Sequence, residues 1–453
     1  GNRVPSGAAA PPPGAYQGAE GGQLRTGVRE GLGPECPAHW LRRRAERGGG
    51  MSHLRVQWLV VGGGPCGVVA TGLLMDLLGP SSLAWVDSQG FHTCGRLGRY
   101  RGVPGNTRVS AILDALCSVR ALGVAEAQTH RGSQGSTDCI QGKRALVDCD
   151  PTQTCGLSLA VDALNDASMR LRSLSSVHAI ESTVQTLDLC TQGSDSGWWT
   201  VQLGEGPQGS PQLIQARRVL LVTGRTPSAI PEDVVASTVT VELDDVVALD
   251  RLMDRLSATP ARLDQTWCVV GNSHSGMLAV MNLVTAGVPP EHIVVMHKSD
   301  LRFAEDRPEG WIKFDGTGLK GTVRDWTLNS LPEATRFVLY DPERSWGDQF
   351  REHGIDCSVF ANGFEQTGIP QITVSGKVLP ECVYDPSNGL VLGAAGVAGL
   401  GFGFPEQWTD PEGFTEFRVG FNMRYVEHAT RVISQIAAGT EFREAEQQQQ
   451  EEA

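Results

Sequence analysis

Two short runs of the chain have residue types and spacing that suit the binding of a dinucleotide phosphate. The first spans Leu59 to Gly67 (LVVGGGPCG), and the second spans Trp267 to Gly276 (WCVVGNSHSG). In each, an apolar segment typical of a buried strand leads into a glycine-rich turn and then into an apolar helix. A helix that begins at such a turn points free N–H groups and its positive end at phosphate oxygens. Two such runs indicate a protein that passes electrons between two dinucleotides.

The glycines of the first run follow the G-x-G-x-x-G pattern of dinucleotide-binding turns. Gly62 permits the tight turn, Gly64 lets the backbone approach a pyrophosphate, and Gly67 lets the helix pack close to the sheet. The next apolar segment ends at Asp87, where a carboxylate is placed to bind ribose hydroxyls. The alternative is a glycine-rich turn in an α/β domain that binds no nucleotide. The residues predicted to bind the first dinucleotide are Gly62, Gly63, Gly64, Pro65, Cys66, Gly67 and Asp87.

The second run departs from this pattern, because Ser273 takes the place of the middle glycine. The strand that follows it ends at His297-Lys298, where the first run has an acid. A cation there suits a 2′-phosphate, so NADPH is expected rather than NADH. The alternatives are a solvated Lys298 and a His274 that only shapes the turn. The residues predicted to bind this dinucleotide are Gly271, Asn272, Ser273, His274, Ser275, Gly276, His297 and Lys298.

Two later segments extend the pattern. Arg217 to Val222 is an apolar strand that runs into Thr223-Gly224, and Val359 to Phe364 has a similar form. Together with the glycine runs, these segments resemble the two-dinucleotide-binding-domain flavoprotein superfamily over about residues 55–437. This superfamily includes thioredoxin-reductase-like enzymes, flavin-containing monooxygenases and N-hydroxylating monooxygenases. The resemblance implies FAD at the first run, with Thr223 and Gly224 beside it, and NAD(P)H at the second run.

Further cofactor contacts follow from this resemblance. The segment from His297 to Ala304 is similar to one that contacts the 2′-phosphate in thioredoxin reductases, so it adds Arg302 to the second site. A last strand, expected at Gly389 to Gly393, leads to Gly396 beside the flavin. Val397 stands where many relatives carry an aspartate, so we expect backbone groups between Gly399 and Phe404 to replace that contact.

The cysteines argue against one branch of this superfamily. None of the eleven forms a Cys-x-x-Cys or Cys-x4-Cys pair. Dithiol exchange needs two thiols within reach of each other and of the flavin, so a disulfide reductase is not expected. The pair Asn106-Thr107 is similar to an Asn-Thr that lies in a loop beside the flavin in flavin-containing monooxygenases, so a loop is expected here as well. Asn106 is therefore the catalytic candidate, and the alternative is an asparagine that satisfies a turn before a helix.

The predicted function is an FAD-dependent NAD(P)H oxidoreductase in which NADPH delivers hydride to FAD. We expect the reduced flavin to react with dioxygen and to oxygenate a small N- or S-nucleophile. One alternative is a reductase of a quinone or another acceptor without oxygen insertion. Another is a nucleotide sensor that has kept the fold and lost turnover.

Composition limits the partners. The chain has 453 residues, 40% of them hydrophobic and 20% charged, which describes a globular protein with an ample core. A net charge of −13 argues against nucleic acid or an anionic membrane as partner, and no apolar run reaches the length of a membrane span. The odd cysteine count without close pairing suggests a reducing, cytoplasmic location. A small-molecule substrate is expected, with a homodimer as one possible assembly.

The expected fold is α/β, with two Rossmann-like domains, the second inserted in the first, and a small antiparallel β insertion. The FAD-binding domain is placed at residues 51–227 and 371–440, and the NAD(P)H-binding domain at 228–370. Residues 1–50 are expected to be a disordered or non-native extension before a start at Met51, with a transit peptide as the rival, and 441–453 a disordered tail. The aromatic-rich segments Leu301 to Arg344 and Gly401 to Gly413 are interpreted as a lid and a flavin-pocket wall, or as packing over a domain seam.

Overall fold

The computed structural model describes residues 54–79, 82–129, 141–191, 195–205, 211–235, 238–418 and 420–439. The segments expected to be disordered, 1–50 and 441–453, lie outside these residues. The helices are α1 Pro65–Leu78, α2 Val109–Cys117, α3 Val124–Thr129, α4 Gln141–Val147, α5 Leu157–Arg172, α6 Glu232–Val235, α7 Leu243–Val247, α8 Leu249–Ala258, α9 His274–Thr285, α10 Gly321–Asn329, α11 Trp346–His353 and α12 Met423–Ala438.

The strands, in chain order, are β1 Leu54–Val61, β2 Leu83–Asp87, β3 Pro104–Arg108, β4 Thr154–Gly156, β5 Val177–Glu181, β6 Val184–Cys190, β7 Trp198–Glu205, β8 Pro211–Leu221, β9 Arg225–Pro227, β10 Val239–Thr240, β11 Trp267–Val270, β12 Ile293–His297, β13 Glu305–Asp306, β14 Ile312–Lys313, β15 Arg336–Leu339, β16 Cys357–Phe360, β17 Phe364–Gln366, β18 Gln371–Val374, β19 Lys377–Val378, β20 Val397–Gly399, β21 Glu406–Thr409 and β22 Thr415–Arg418.

A nine-stranded sheet forms the first half of the fold. Its strands run in the order β19-β18-β6-β7-β8-β1-β2-β5, and β20 also pairs with β8. From Trp58 to Val61, strand β1 is apolar and buried on both faces because both are covered. Trp58 and Val60 pack in a core with residues of α1, α2, α5 and α12. Leu59 and Val61 face a second core formed mainly by β6, β7 and β8, whose antiparallel pairing is the expected β insertion.

A five-stranded sheet, wholly parallel, forms the second half. Its order is β10-β16-β11-β12-β15, with β11 central and fully buried. Residues of α7, α8 and α9 cover one face, and α11 packs on the other. The chain leaves the first sheet after β8 and returns to it at β18, after β9 and β17 have paired as a two-stranded connection. No described helix has both the length and the apolar character that a membrane span needs.

Three expectations about elements are wrong. Residues Gly389 to Gly393 form turns and isolated bridges rather than a strand, because both glycines have positive φ, +74° and +77°. The strand that joins the first sheet is β20 instead. Asn106 lies in β3, which pairs with β4, and not in a loop. Segment Leu301 to Arg344 is not a loop throughout, because it contains the short strands β13 and β14 and then α10 and β15.

Candidate dinucleotide-binding sites

The first glycine turn lies at the carboxyl end of β1 and leaves no room for side chains at two positions. Gly62 has a φ of +122°, and a Cβ added there would lie 2.4 Å from the carbonyl oxygen of Val222. A Cβ added at Gly67 would lie 2.0 Å from the carbonyl oxygen of Gly62. The first turn of α1 is therefore in direct backbone contact with the end of β1, as the predicted roles of these glycines require.

Asp87 lies beside this turn, at the end of β2. Its Oδ2 accepts a hydrogen bond from the Gly63 backbone N–H at 2.6 Å, and its Oδ1 accepts one from the Gln89 N–H at 2.8 Å. A Cβ at Gly63 would lie 2.9 Å from the Asp87 carboxyl carbon, so a side chain here would displace the Asp87 carboxylate. Burial raises the pKa of Asp87, and the two hydrogen bonds oppose that rise. The structure thus brings the acid and the turn together as predicted.

The second glycine turn, between β11 and α9, has the same geometry. Gly271 has a φ of +106°, and a Cβ there would lie 2.4 Å from the carbonyl oxygen of Ala361. A Cβ at Gly276 would lie 2.0 Å from the carbonyl oxygen of Gly271. Ser273 has φ −76° and ψ −173°, close to the −71° and −177° of Gly64. The serine therefore fits this turn without backbone strain, and the departure in sequence is not a departure in shape.

The rim of the second turn differs from that of the first. His297 takes the place of Asp87 at the end of its strand, and its Nδ1 lies 2.9 Å from the carbonyl oxygen of Ser299. Asn272, which takes the place of Gly63, donates to the same carbonyl oxygen at 2.6 Å. A backbone carbonyl thus replaces the carboxylate at this rim. The site has no acid where an NADH-binding turn would use one for the ribose.

The two cations predicted for this rim have different surroundings. Lys298 is exposed, and its Nζ lies 5.3 Å from the ring centroid of Tyr340. The Arg302 guanidinium lies 5.6 Å and 5.3 Å from the rings of Phe314 and Phe414. Lys298 is therefore the cation that directly follows the strand end, while Arg302 contacts an aromatic pair formed by two other segments.

His274 is the first residue of α9. Burial, and next the charge of Lys320, lower the pKa of its imidazole to about 4. Its Nδ1 is buried and has no hydrogen-bond partner among the described residues. The side chain is therefore neutral at physiological pH, and the predicted phosphate contact would use a neutral imidazole.

The loop after β20 closes the first turn from a distant part of the chain. Gly401 has a φ of +77°, and a Cβ there would lie 2.4 Å from Sγ of Cys66. The Tyr425 hydroxyl, from α12, donates to the carbonyl oxygen of Cys66 at 2.8 Å. A Cβ at Gly403 would lie 2.7 Å from the carbonyl oxygen of Gly224. This loop lies within the Gly399 to Phe404 segment expected to contribute backbone groups, whereas Tyr425 has no motif that would have predicted its place.

The remaining predicted site residues differ in burial and in their hydrogen-bond partners. The Thr223 hydroxyl is buried and lacks a hydrogen-bond partner, so a ligand polar group can use it. Burial raises the pKa of the Cys66 thiol to about 11, so the thiol is protonated at neutral pH. The carbonyl oxygen of Gly396 accepts a hydrogen bond from Val219 N at 2.8 Å and so belongs to the sheet. Asn106 Oδ1 accepts a hydrogen bond from the Thr107 hydroxyl at 3.3 Å.

Comparisons with known proteins agree with this geometry. No family model matches the chain. Monooxygenase AgnR1 of Paecilomyces divaricatus is 29% identical over 386 residues, which cover 80% of this chain and 93% of that protein. A flavin monooxygenase from Stenotrophomonas maltophilia has a TM-score of 0.51 at 15% identity, over 85% of this chain and 99% of that chain. An ornithine N-hydroxylase of Kutzneria, solved with reduced FAD, NADP+ and L-ornithine, has a TM-score of 0.52 at 12% identity over the same shares.

The chain shares the fold of these solved flavoproteins, so the predicted resemblance to the two-dinucleotide-binding-domain flavoprotein superfamily and the predicted α/β class are confirmed. The prediction of an FAD-dependent, monooxygenase-like oxidoreductase is also confirmed at the level of enzyme class. The predicted cofactors agree with the FAD and NADP+ named for the ornithine N-hydroxylase structure. These likenesses do not identify a substrate.

The low pKa of His274 gives a test of its burial. The pKa of His274 in the folded state lies below its unfolded value of 6.5. Between these two values, the imidazole binds a proton in the unfolded state but not in the folded state. This residue should therefore cost the protein about 2–3 kcal/mol of unfolding free energy as the pH falls from 6.5 towards 4. Urea unfolding of the wild type and of His274→Gln at several pH values measures this. The variant should show a smaller loss, whereas His92→Gln, at an exposed position, should behave as the wild type. If the unfolding free energy of His274→Gln and that of the wild type fall equally with pH, His274 does not have a lowered pKa in the folded protein.

Proposed function

We propose that the protein is an NADPH-dependent FAD enzyme, with FAD at the turn from Gly62 to Gly67 and NADPH at the turn from Gly271 to Gly276. The observation that carries this proposal is the repeated cradle, in which a helix N-terminus contacts the preceding strand end through two glycines. Each cradle presents helix N–H groups without intrahelical partners to an approaching phosphate. Bound FAD and NADPH would supply the hydride transfer between the two sites.

The first cradle fits an FAD adenosine and pyrophosphate. Asp87 holds an anionic carboxylate at the rim, where ribose hydroxyls donate. Gly64 leaves open space above the turn, since a Cβ there would meet only the Cys94 carbonyl oxygen, at 3.8 Å. Gly224, Gly401 and the unpartnered hydroxyl of Thr223 form the neighbouring wall. We therefore assign these groups to FAD binding, and we place the domain boundaries at residues 227 and 370 as predicted.

The second cradle favours NADPH over NADH. It offers no acid at the strand end, and Lys298 provides an exposed ammonium directly after His297. A phosphate on the adenine ribose gains charge-assisted hydrogen bonds from such a cation. The same position in the first cradle holds Asp87, which would repel a phosphate. Asp87 thus disfavours NADPH in the first cradle, whereas Lys298 favours it in the second.

The electron acceptor is proposed to be dioxygen, with oxygen transferred to a small N- or S-nucleophile. Nine cysteines are described and all are free, and the buried thiols of Cys66 and Cys94 have raised pKa values. These thiols do not suit dithiol exchange, which needs an accessible thiolate. The relative at 29% identity is a monooxygenase, which supports oxygen as the acceptor. Asn106 stays the proposed catalytic residue, and a cytoplasmic location stays a prediction.

Replacing Gly64 by alanine tests the first cradle. The φ of −71° accepts any residue and the added Cβ has space, so the FAD-free protein should keep its unfolding free energy. The methyl group would occupy the surface that a pyrophosphate approaches, so the FAD dissociation constant should rise at least about tenfold, about 1.4 kcal/mol. Fluorescence titration with FAD measures this. Ser273→Gly, in the other cradle, should bind FAD as the wild type does. Unchanged FAD affinity in Gly64→Ala would place the cofactor elsewhere.

Replacing Lys298 by alanine tests the choice of nicotinamide dinucleotide. The loss of one charge-assisted contact should lower kcat/KM for NADPH by about tenfold and leave kcat/KM for NADH nearly unchanged. Steady-state rates with both dinucleotides measure this. Lys377→Ala removes an equally exposed ammonium from β19 and should leave the ratio intact. If the wild type uses NADH and NADPH equally well, the NADPH assignment is wrong.

The acceptor is tested with labelled oxygen. NADPH should bleach the FAD absorbance under anaerobic conditions, and an added amine or thioether should then gain one ¹⁸O atom from ¹⁸O₂. Mass spectrometry of the product measures this gain. Reduction of a quinone without label in any product would favour the plain reductase. Bound FAD that NADPH does not bleach would favour a nucleotide sensor.

A further inference from the structure

A cavity lies where α12 begins, beside the first glycine turn. Its walls come from the turn itself, from the loop after β14, from the hairpin of β21 and β22, and from the first turns of α12. The residues that matter for its chemistry are Cys66, Asp315, Glu406, Arg418, Arg424 and His428. The proposed cofactor sites do not use the three basic residues of this set, Arg418, Arg424 and His428.

The acidic groups of the cavity are already neutralised by cations. Asp315 Oδ1 lies 2.8 Å from the Lys320 ammonium, and Glu406 Oε1 lies 2.7 Å from the Arg431 guanidinium. Each carboxylate therefore has a hydrogen-bonded counter-ion other than the arginines of the cavity. A third carboxylate, Glu416, also acts on Arg418. The four cations Arg418, Arg424, Lys320 and Arg431 therefore face the three carboxylates Asp315, Glu406 and Glu416, an excess of one positive charge.

Arg418 and Arg424 lie on the same indole ring. Their guanidinium carbons are 3.5 Å and 5.2 Å from the ring centroid of Trp408. Arg418 Nε and Arg424 Nη1 are buried and find no hydrogen-bond acceptor among the described residues, and the Asp315 Oδ2 nearest to Arg424 is 4.0 Å away. Burial, and next the neighbouring Arg424, lower the pKa of Arg418 to about 10. The ring therefore holds two like charges together, an arrangement that an anion would stabilise.

His428 adds an independent sign of a ligand. Its side chain is only 4% exposed, and its Nε2 has no hydrogen-bond partner. His428 Nδ1 lies 2.8 Å from the Arg431 guanidinium, from which it can accept, and 3.4 Å from Glu406 Oε1, to which it can donate. A buried ring nitrogen without a partner costs free energy in either tautomer, and a polar ligand atom would remove that cost.

We propose that this cavity, which His428 also lines, binds the carboxylate of a small molecule through Arg418 and Arg424. The planar guanidinium fork matches a carboxylate, and both arginines have buried N–H groups to give. Because the cavity borders the turn assigned to FAD, the inference rests on the proposed function: the bound acid is a substrate of the flavin enzyme. The N- or S-nucleophile proposed above would then carry a carboxylate as well.

The double variant Arg418→Gln/Arg424→Gln tests this, with benzoate as the probe and benzamide as its uncharged counterpart. Isothermal titration calorimetry on the FAD-loaded protein measures both. The wild type should bind benzoate at one site and benzamide at least tenfold more weakly, and the double variant should bind benzoate at least tenfold more weakly than the wild type. Arg351→Gln, which removes an exposed arginine of α11, should bind benzoate as the wild type does. If the double variant does not fold, Arg418→Lys keeps the charge without the fork and should still weaken benzoate binding.

Equal benzoate affinity in the wild type and in the variants would overturn the proposal, as would equal binding of benzamide. Benzoate that binds only FAD-free protein, or loss of FAD from the arginine variants, would assign the arginines to a cofactor phosphate and also overturn it. Bleaching of FAD by NADPH, measured on the same preparations, separates the two proposals. Bleaching without benzoate binding sinks only the carboxylate site, while benzoate binding without bleaching sinks only the oxidoreductase function.

Discussion

The structure depends on one contact, which is the close approach of a helix to the carbonyl group that ends the preceding strand. At Gly67 and at Gly276 no side-chain atom fits between helix and strand, because an added Cβ would lie 2.0 Å from a backbone oxygen. This contact fixes where each helix begins and turns its free N–H groups towards the carboxyl edge of the sheet. The placement of Asp87 and His297 beside those N–H groups follows from the parallel pairing of β1 with β2 and of β11 with β12.

Both turns could be predicted from the sequence because all of their parts are local. The strand, the glycines, the helix and the end of the next strand span Leu54 to Asp87 in the first site and Trp267 to His297 in the second. The serine of the second turn weakened the sequence pattern but not the structure, since Ser273 and Gly64 share the same backbone angles. Counting glycines alone therefore understates how well the second turn matches the pattern. The two positions that exclude a side chain, Gly271 and Gly276, are both glycine, and the middle position, Ser273, accepts a side chain.

The residues that close the first turn could not be predicted in this way, because they come from far along the chain. Tyr425 contacts the carbonyl oxygen of Cys66 across 359 residues, and no local pattern marks such a tyrosine. The expected strand from Gly389 to Gly393 has suitable apolar residues, but its terminal glycines adopt left-handed backbone angles. Asn106 was predicted by resemblance, and pairing with β4 placed it in a strand. Tertiary pairing, and not residue type, decided these cases.

The cavity at the start of α12 shows why the two halves of the fold must be considered together. The segment before α10 and the hairpin of β21 and β22 belong to different halves, and they meet through the edge-to-face rings of Phe314 and Phe414, 4.9 Å apart. Glu412 of the hairpin pairs with Arg307 and Lys313 of that segment. The arginines themselves stand on the hairpin and on α12, and Asp315 and Gly316 complete the cavity from the other half. The outline of the cavity, and with it the space for an acid, therefore depends on both halves.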